Sequence, residues 1–283
     1  MRPPGLAQRL LYQTPPGRAL LRLLVAPPVS VLAGKLCDSA ASAALVDPFI
    51  SRNRIDLEEC RRDSFFSFND FFTRQLRPGS RPVDPTPEAL ISPSDGYAAA
   101  FPIGPDTLLL IKNTSYTVAE LLGGDQELAA RFEGGFCCVV RLVPQNYHRY
   151  CYVDGGLREP GRRIEGLLHT VHPVAHRRGR FLATNTREYT LLHSEHFGQL
   201  IQIEVGAMMV GRIVNLQTGL CAVARGQEKG YFEFGGSTVV LLLQKDSVQL
   251  NEVLLQAGRE GGEIPVRQGQ TIGRAPCSST VEF

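Results

Sequence analysis

One stretch constrains this chain more than any other. Residues 77–85 read Arg77-Pro78-Gly79-Ser80-Arg81-Pro82-Val83-Asp84-Pro85, and three prolines that fix φ and remove backbone donors exclude both helix and strand. The main boundary is placed there. Before it the pattern is helical in short pieces, and Ser67-Phe68-Asn69-Asp70 supplies an N-cap with an acid three residues on, predicting a helix that starts at that point and buries Phe71 and Phe72. After it come short β-like runs separated by glycine-rich turns: Phe136 to Val143, Leu200 to Val205, Val210 to Val214 and Ser237 to Gln244. Ile201, Ile203 and Val205 alternate with Gln202 and Glu204, the period of a half-buried strand. Glycines 206, 211, 235, 236, 269 and 273 are expected where the backbone turns tightly or packs closely. The expected fold class is α+β. A helical, membrane-associating N-terminal region (1–86) precedes a mainly antiparallel β domain (87–283) that carries the chemistry.

Charge narrows the partners. The 283 residues hold 30 Lys+Arg against 28 Asp+Glu, a net charge of +2, with no basic block, which does not suit a protein that covers nucleic-acid phosphates. Locally the balance differs. The first 36 residues carry Arg2, Arg9, Arg18, Arg22 and Lys35 and no acid. A helix over 17–25 would place Arg18 and Arg22 one turn apart with Leu20, Leu23 and Leu24 opposite. Such a helix either lies on an anionic lipid surface or docks its leucines on its own protein. The uncharged run Leu23 to Gly34 is 12 residues and contains two prolines, against about 20 apolar residues needed to cross a bilayer. The scattered arginines also argue against a cleaved signal peptide. Seven cysteines, an odd number without a CxxC pair, support neither a disulfide framework nor a zinc cluster and point to a reducing, cytosolic environment.

Familiar catalytic motifs are missing: there is no GxSxG, Walker loop, HExxH or helix-opening GxGxxG. His193 and His196 lack further ligands nearby in sequence, and a surface role is expected. Three polar residues flank β-like runs: Asp95 in Ser92-Pro93-Ser94-Asp95-Gly96, His148 in Tyr147-His148-Arg149-Tyr150-Cys151, and Ser237 in Phe234-Gly235-Gly236-Ser237-Thr238. Together they could form a carboxylate–imidazole–hydroxyl relay. Singly, each is also an ordinary turn former, packing histidine or loop serine.

Several segments, taken in order, resemble the phosphatidylserine decarboxylase family. They are Phe71-Phe72-Thr73-Arg74-Gln75-Leu76-Arg77-Pro78-Gly79 with Arg81-Pro82, Ser92-Pro93-Ser94-Asp95-Gly96, Tyr147-His148-Arg149, Val205-Gly206-Ala207 with Val210-Gly211, Lys229-Gly230-Tyr231-Phe232-Glu233-Phe234, and Gly235-Gly236-Ser237-Thr238. The match runs from about residue 11 to about residue 274.

This resemblance implies a decarboxylase that converts phosphatidylserine to phosphatidylethanolamine through a Schiff base with a covalent pyruvoyl group. That group would arise from Ser237 when its hydroxyl attacks the carbonyl of Gly236, β-elimination leaves dehydroalanine, and hydrolysis releases ammonia. Neither pyridoxal phosphate nor a metal is then expected. The products would be a heterodimer of chains 1–236 and 237–283. Asp95 and a histidine would supply the base for self-cleavage, and His148 would reprotonate the substrate carbon. One position departs from the family pattern: where a second histidine often follows Tyr-His-Arg, this chain has Cys151, which could act as a base only as a thiolate of lowered pKa. His169 is the spare, and His148 and His169 stand together as the histidine candidates. His172 and His176 lie among arginines, in a solvated loop or at a phosphate. The expected partners are a phospholipid substrate and an anionic membrane surface, with the enzyme peripheral on the cytoplasmic side of the cell membrane. Two rivals stand beside this reading: the same chemistry on a soluble amino acid, and an unprocessed, non-catalytic membrane-binding scaffold.

Overall fold

The computed structural model describes residues 27–111, 114–166, 181–206, 212–233 and 237–276. The predicted helix over 17–25 lies outside them, as do Gly211, Gly235, Gly236, His169, His172 and His176.

The N-terminal part is helical. It comprises α1 (Pro27–Asp38), a 3-10 turn (Ala40–Leu45), α2 (Val46–Asn53) and α3 (Phe68–Phe72). The predicted cap is formed: Ser67 is extended, and its hydroxyl accepts from the Asp70 amide at 3.1 Å. The helix that follows is only five residues long, because its stability comes from burial and not from length. Phe68, Phe71 and Phe72 are all buried, and Phe68 and Phe71 meet Phe49 edge-on.

Past the proline-rich break the chain is β-dominated, as the sequence predicts. Strands run in order as β1 (Ala89–Ile91), β2 (Gly96–Pro102), β3 (Leu108–Ile111), β4 (Thr114–Thr117), β5 (Phe136–Leu142), β6 (Arg149–Cys151), β7 (Gly156–Arg158), β8 (Arg162–Ile164) and β9 (Arg187–Ser194). They continue as β10 (Gly198–Val205), β11 (Ile213–Asn215), β12 (Cys221–Val223), β13 (Glu228–Phe232), β14 (Ser237–Leu243), β15 (Gln249–Leu250), β16 (Ile264–Val266) and β17 (Thr271–Arg274). Short helices α4 (Val118–Leu121), α5 (Gln126–Ala130), α6 (Phe181–Thr184) and α7 (Glu252–Arg259) are interleaved.

A nine-stranded antiparallel sheet, ordered β12-β7-β9-β10-β14-β5-β2-β16 with β8 also on β9, forms the body. Its centre is β14, paired with β10 on one side and β5 on the other. All seven residues of β14 are buried, because both faces of the sheet are covered. Val240 and Leu242 pack with Ile201, Ile203, Tyr116 and Phe132 on one face. Leu241 and Leu243 pack with Leu200, Cys138, Leu90 and Ile272 on the other. On this second face lies a separate three-stranded sheet, β11-β13-β6, whose Tyr150, Ile213 and Phe232 join Leu142 and Val239 of the large sheet.

That second layer corrects one expectation. The alternation predicts that Gln202 and Glu204 face water, yet they are 2% and 0% exposed. The alternation is real, but a further sheet covers its polar side.

Candidate active site

Ser237 opens the central strand. It is fully buried, pairs in register with Leu142, and its hydroxyl has no hydrogen-bond partner among the described residues. Strand alternation turns it to the same face as Val239, toward the β11-β13-β6 layer. A buried hydroxyl without a partner is costly, so its placement at the head of the best-packed strand calls for a chemical reason.

His148 lies in the turn between β5 and β6. Asn146 shapes that turn: its side chain accepts from the Val143 amide at 2.8 Å, and its carbonyl lies 2.9 Å from Nδ1 of His148. With the Nδ1 proton donated there, Nε2 is left as an acceptor, and Nε2 is buried without a partner among the described residues. The Phe72 ring centroid lies 3.9 Å from that of the imidazole. Burial, reinforced by the Arg74 guanidinium, pushes the His148 pKa down to about 3, so the ring is neutral. The His148 carbonyl accepts from the Phe232 amide at 3.0 Å, which ties the chain five residues ahead of Ser237 to the histidine.

Asp95 precedes β2 at the same end of the sheet. Gly96 beside it must be glycine, since a Cβ there would fall 2.7 Å from the Arg141 carbonyl oxygen. The carboxylate is occupied. Arg81 donates to both its oxygens, at 2.8 and 2.7 Å, and the Gln268 amide adds a bond of 2.9 Å. The Gln268 side chain donates to the carbonyls of Pro93 and Arg149, so the Asp95 loop is fastened to the strand that follows His148. Among the described residues no hydrogen bond joins Asp95 to His148 or to Ser237.

Cys151 is buried, with its thiol 3.9 Å from the Ser92 carbonyl. Burial pushes its pKa up to about 12. That is the opposite of what a thiolate base requires.

The three sequence-predicted residues with described positions therefore lie at one end of the central sheet, two with unpartnered buried atoms and one held in an ion pair. A family model described as phosphatidylserine decarboxylase matches residues 68–274. The chain is 38% identical over 266 residues to phosphatidylserine decarboxylase proenzyme 2 of Clostridium acetobutylicum, covering 94% of this chain and 90% of that protein. It is 38% identical over 267 residues to the proenzyme of Clostridium perfringens (93% and 90%) and 37% over 270 residues to that of Desulfitobacterium hafniense (94% and 90%).

The chain belongs to the phosphatidylserine decarboxylase family.

Within this phosphatidylserine decarboxylase fold the sequence reading passed over three features. Arg74, 4% exposed, donates to the carbonyls of Gln145 and Asn146 and so holds the His148 turn from below. Arg81, inside the proline-rich break, binds Glu59 as well as Asp95. Both arginines stand within a quoted motif, but nothing local reveals their partners. The third is a buried ion pair. Lys229 Nζ donates to Glu204 Oε2 at 2.6 Å and to Asn215 Oδ1 at 3.0 Å, with Lys229 1% and Glu204 0% exposed. Its signal was an acid in an apolar strand and a lysine in the Lys229-Gly230-Tyr231 motif. Gly230 beside it lets β13 approach β11 and the Tyr150 ring, because a Cβ would meet the Val214 carbonyl and, at 2.8 Å, the Tyr150 hydroxyl. The surface reading of His193 and His196 has a counterpart in the structure: they pair with Glu159 and Asp154, at the opposite end of the sheet from Ser237.

Proposed function

We propose that this chain decarboxylates phosphatidylserine to phosphatidylethanolamine, using a pyruvoyl group made from Ser237 by self-cleavage after Gly236. The observation that carries the proposal is the Ser237 hydroxyl, buried and without a described partner at the first residue of the central strand. Such a group is desolvated and unengaged, and the following strand is held by β5 and β10 so that only its head is available for rearrangement. The residues fit a small covalent carbonyl, since Leu142, Val239, Tyr150 and Phe232 give this face an apolar lining. A ketone there supplies the electron sink for loss of the substrate carboxylate.

His148 is the proposed proton carrier for the substrate. The role proposed for its imidazole is to place a proton on the substrate carbon once the carboxylate has left, at Nε2, which has no partner among the described residues. Asp95, saturated by Arg81 and Gln268, holds the 92–95 loop against β6 and so sets the position of His148. His169, outside the described residues, is kept as a proposed participant in self-cleavage. A His169→Gln precursor that still splits normally removes it.

The lipid reading draws on the N-terminal region. Leu32 and Leu36, one turn apart on α1, are 61% and 63% exposed, and Phe66 is 71% exposed. Among the described residues no helix is long and apolar enough to cross a membrane. These side chains, with the basic residues 1–36, support peripheral attachment to an anionic membrane surface on the cytoplasmic side. They also favour a phospholipid over a soluble amino acid.

Intact-mass analysis tests the proposal. Purified protein should yield two chains, 1–236 and 237–283, the shorter with a ketone in place of an amino terminus, and should form phosphatidylethanolamine from phosphatidylserine vesicles. A Ser237→Ala chain should stay near 31.1 kDa and be inactive. A wild-type chain that stays whole, or a shorter fragment that begins with a free serine, sinks it.

A further inference from the structure

Part of the support for the His148 turn comes from the far side of the proline-rich break, where residues 72–74 form a saddle beneath it. Phe72 packs its ring against the imidazole, and the Thr73 carbonyl accepts from Arg149 Nε at 2.9 Å. Arg74 Nη2 donates to the carbonyls of Gln145 and Asn146, each at 3.3 Å. The second of these carbonyls is shared, because Nδ1 of His148 lies 2.9 Å from the same Asn146 oxygen. A carbonyl only accepts, so it makes Nδ1 the protonated nitrogen of the neutral ring and leaves Nε2 bare. Arg74 thus holds the very group that selects the tautomer of His148. Its own charge has little to spend itself on: Nε and Nη1 are buried without a partner among the described residues, and the guanidinium lies 5.0 Å over the Phe71 ring.

We propose, resting on the proton role given to His148 above, that Arg74 is the positioning residue of this imidazole: by gripping the Asn146 carbonyl it holds the ring in one direction and in the Nδ1–H tautomer. It touches no substrate and acts through the histidine. Two effects come from the one side chain. Bridging two successive carbonyls from a single nitrogen fixes the peptide planes of the turn, and with them the place of Nε2. Placing a proton on one carbon requires that the same nitrogen face it at each turnover, and a misplacement of about 1 Å costs up to about 100-fold in rate. Charge is the second effect. Burial, and after it the guanidinium, oppose a positive charge on the ring, so Nε2 keeps its lone pair. The titratable groups facing Arg74 from other elements are Cys60, Tyr147 and Asp95. Burial pushes the Cys60 thiol and the Tyr147 hydroxyl up, so both are neutral, and Asp95 is already paired with Arg81. None of them cancels the charge that Arg74 presents to the histidine.

The test uses full-length protein isotopically labelled at its histidine ring nitrogens, with the His148 signals assigned by their loss in His148→Gln. Wild type should show one tautomer, protonated at Nδ1, that takes up no further proton between about pH 5 and 8. Arg74→Gln removes the charge and shortens the grip. It should bring in the Nε2–H tautomer and raise the pH at which the ring is protonated by about one unit or more. On phosphatidylserine vesicles it should lower kcat by about 10-fold or more with KM nearly unchanged. Arg74→Lys keeps the charge but does not reach both carbonyls. It should retain the low proton affinity and still lose kcat, and it decides the matter if the glutamine variant does not fold. A folded glutamine variant with the wild-type ring spectrum overturns the proposal, and so does a lysine variant with the wild-type kcat. A lowered urea midpoint with tautomer and kcat intact marks a merely structural arginine and overturns it too. A wild-type chain that shows the single tautomer but forms no phosphatidylethanolamine refutes instead the function on which this rests, and the ring spectra alone then judge Arg74.

Discussion

The ring of Phe72 packs against the imidazole of His148 in a tilted arrangement, with centroids 3.9 Å apart and planes inclined by 35°. Through this contact the helical region reaches the candidate proton carrier 76 positions later in the chain. Phe72 has no exposed surface and also stacks on Phe68. Phe72→Ala should therefore cost about 3–5 kcal/mol of stability, the range for a buried phenylalanine, and lower kcat in whatever fraction folds. Denaturant unfolding and vesicle assays check this, and an unaffected kcat would separate the two regions functionally.

Acid should destabilise the protein through His148. Its folded pKa of about 3 lies below the ordinary 6.5, so between those values the unfolded chain binds the extra proton. The stabilisation is complete above pH 6.5 and is lost as pH falls toward 3, with a slope of up to about 1.4 kcal/mol per pH unit. Unfolding measured at pH 7, 6 and 5 should show this slope, and His148→Gln should remove it.

Removing one partner of the Arg81–Asp95 pair leaves a charge in a largely buried site, with side chains 12% and 9% exposed. Because Arg81 keeps its pair with Glu59 at 2.7 Å, Asp95→Asn should cost about 1–2 kcal/mol, less than for a fully stranded buried charge. A midpoint unchanged in urea would show that the pair is screened.

Cys151 touches neither Ser237 nor His148 through a described hydrogen bond, and its thiol stays protonated. Cys151→Ala should cleave at the wild-type rate. Gel analysis of a maturation time course decides it, and a stalled precursor would return the thiol to the mechanism.

Leu32→Glu/Leu36→Glu should weaken sedimentation with anionic vesicles while leaving chain cleavage intact. Unchanged sedimentation would place the lipid contact elsewhere.

Much of this was legible locally. The Ser67 cap, the proline-rich stop and the apolar run of β14 are short-range effects, set by backbone donors, fixed φ and side-chain period, and each is found where the residues place it. The ordered motifs likewise carried the family. Gln202 and Glu204 show where such reading ends. Their alternation with isoleucine gave the strand, but whether the polar face meets water depends on β11, β13 and β6, whose residues lie elsewhere in the chain.

The sequence by itself determined the helix cap, the proline-rich break and the central strand, because those follow from interactions among near neighbours. Only the tertiary structure decided that Asp95 is engaged by Arg81, that Cys151 is a thiol too weakly acidic to serve as a thiolate, and that Glu204 is buried on Lys229. Ionisation and reach depend on burial and on partners brought from distant positions, and no local pattern records which charges share a low-dielectric interior.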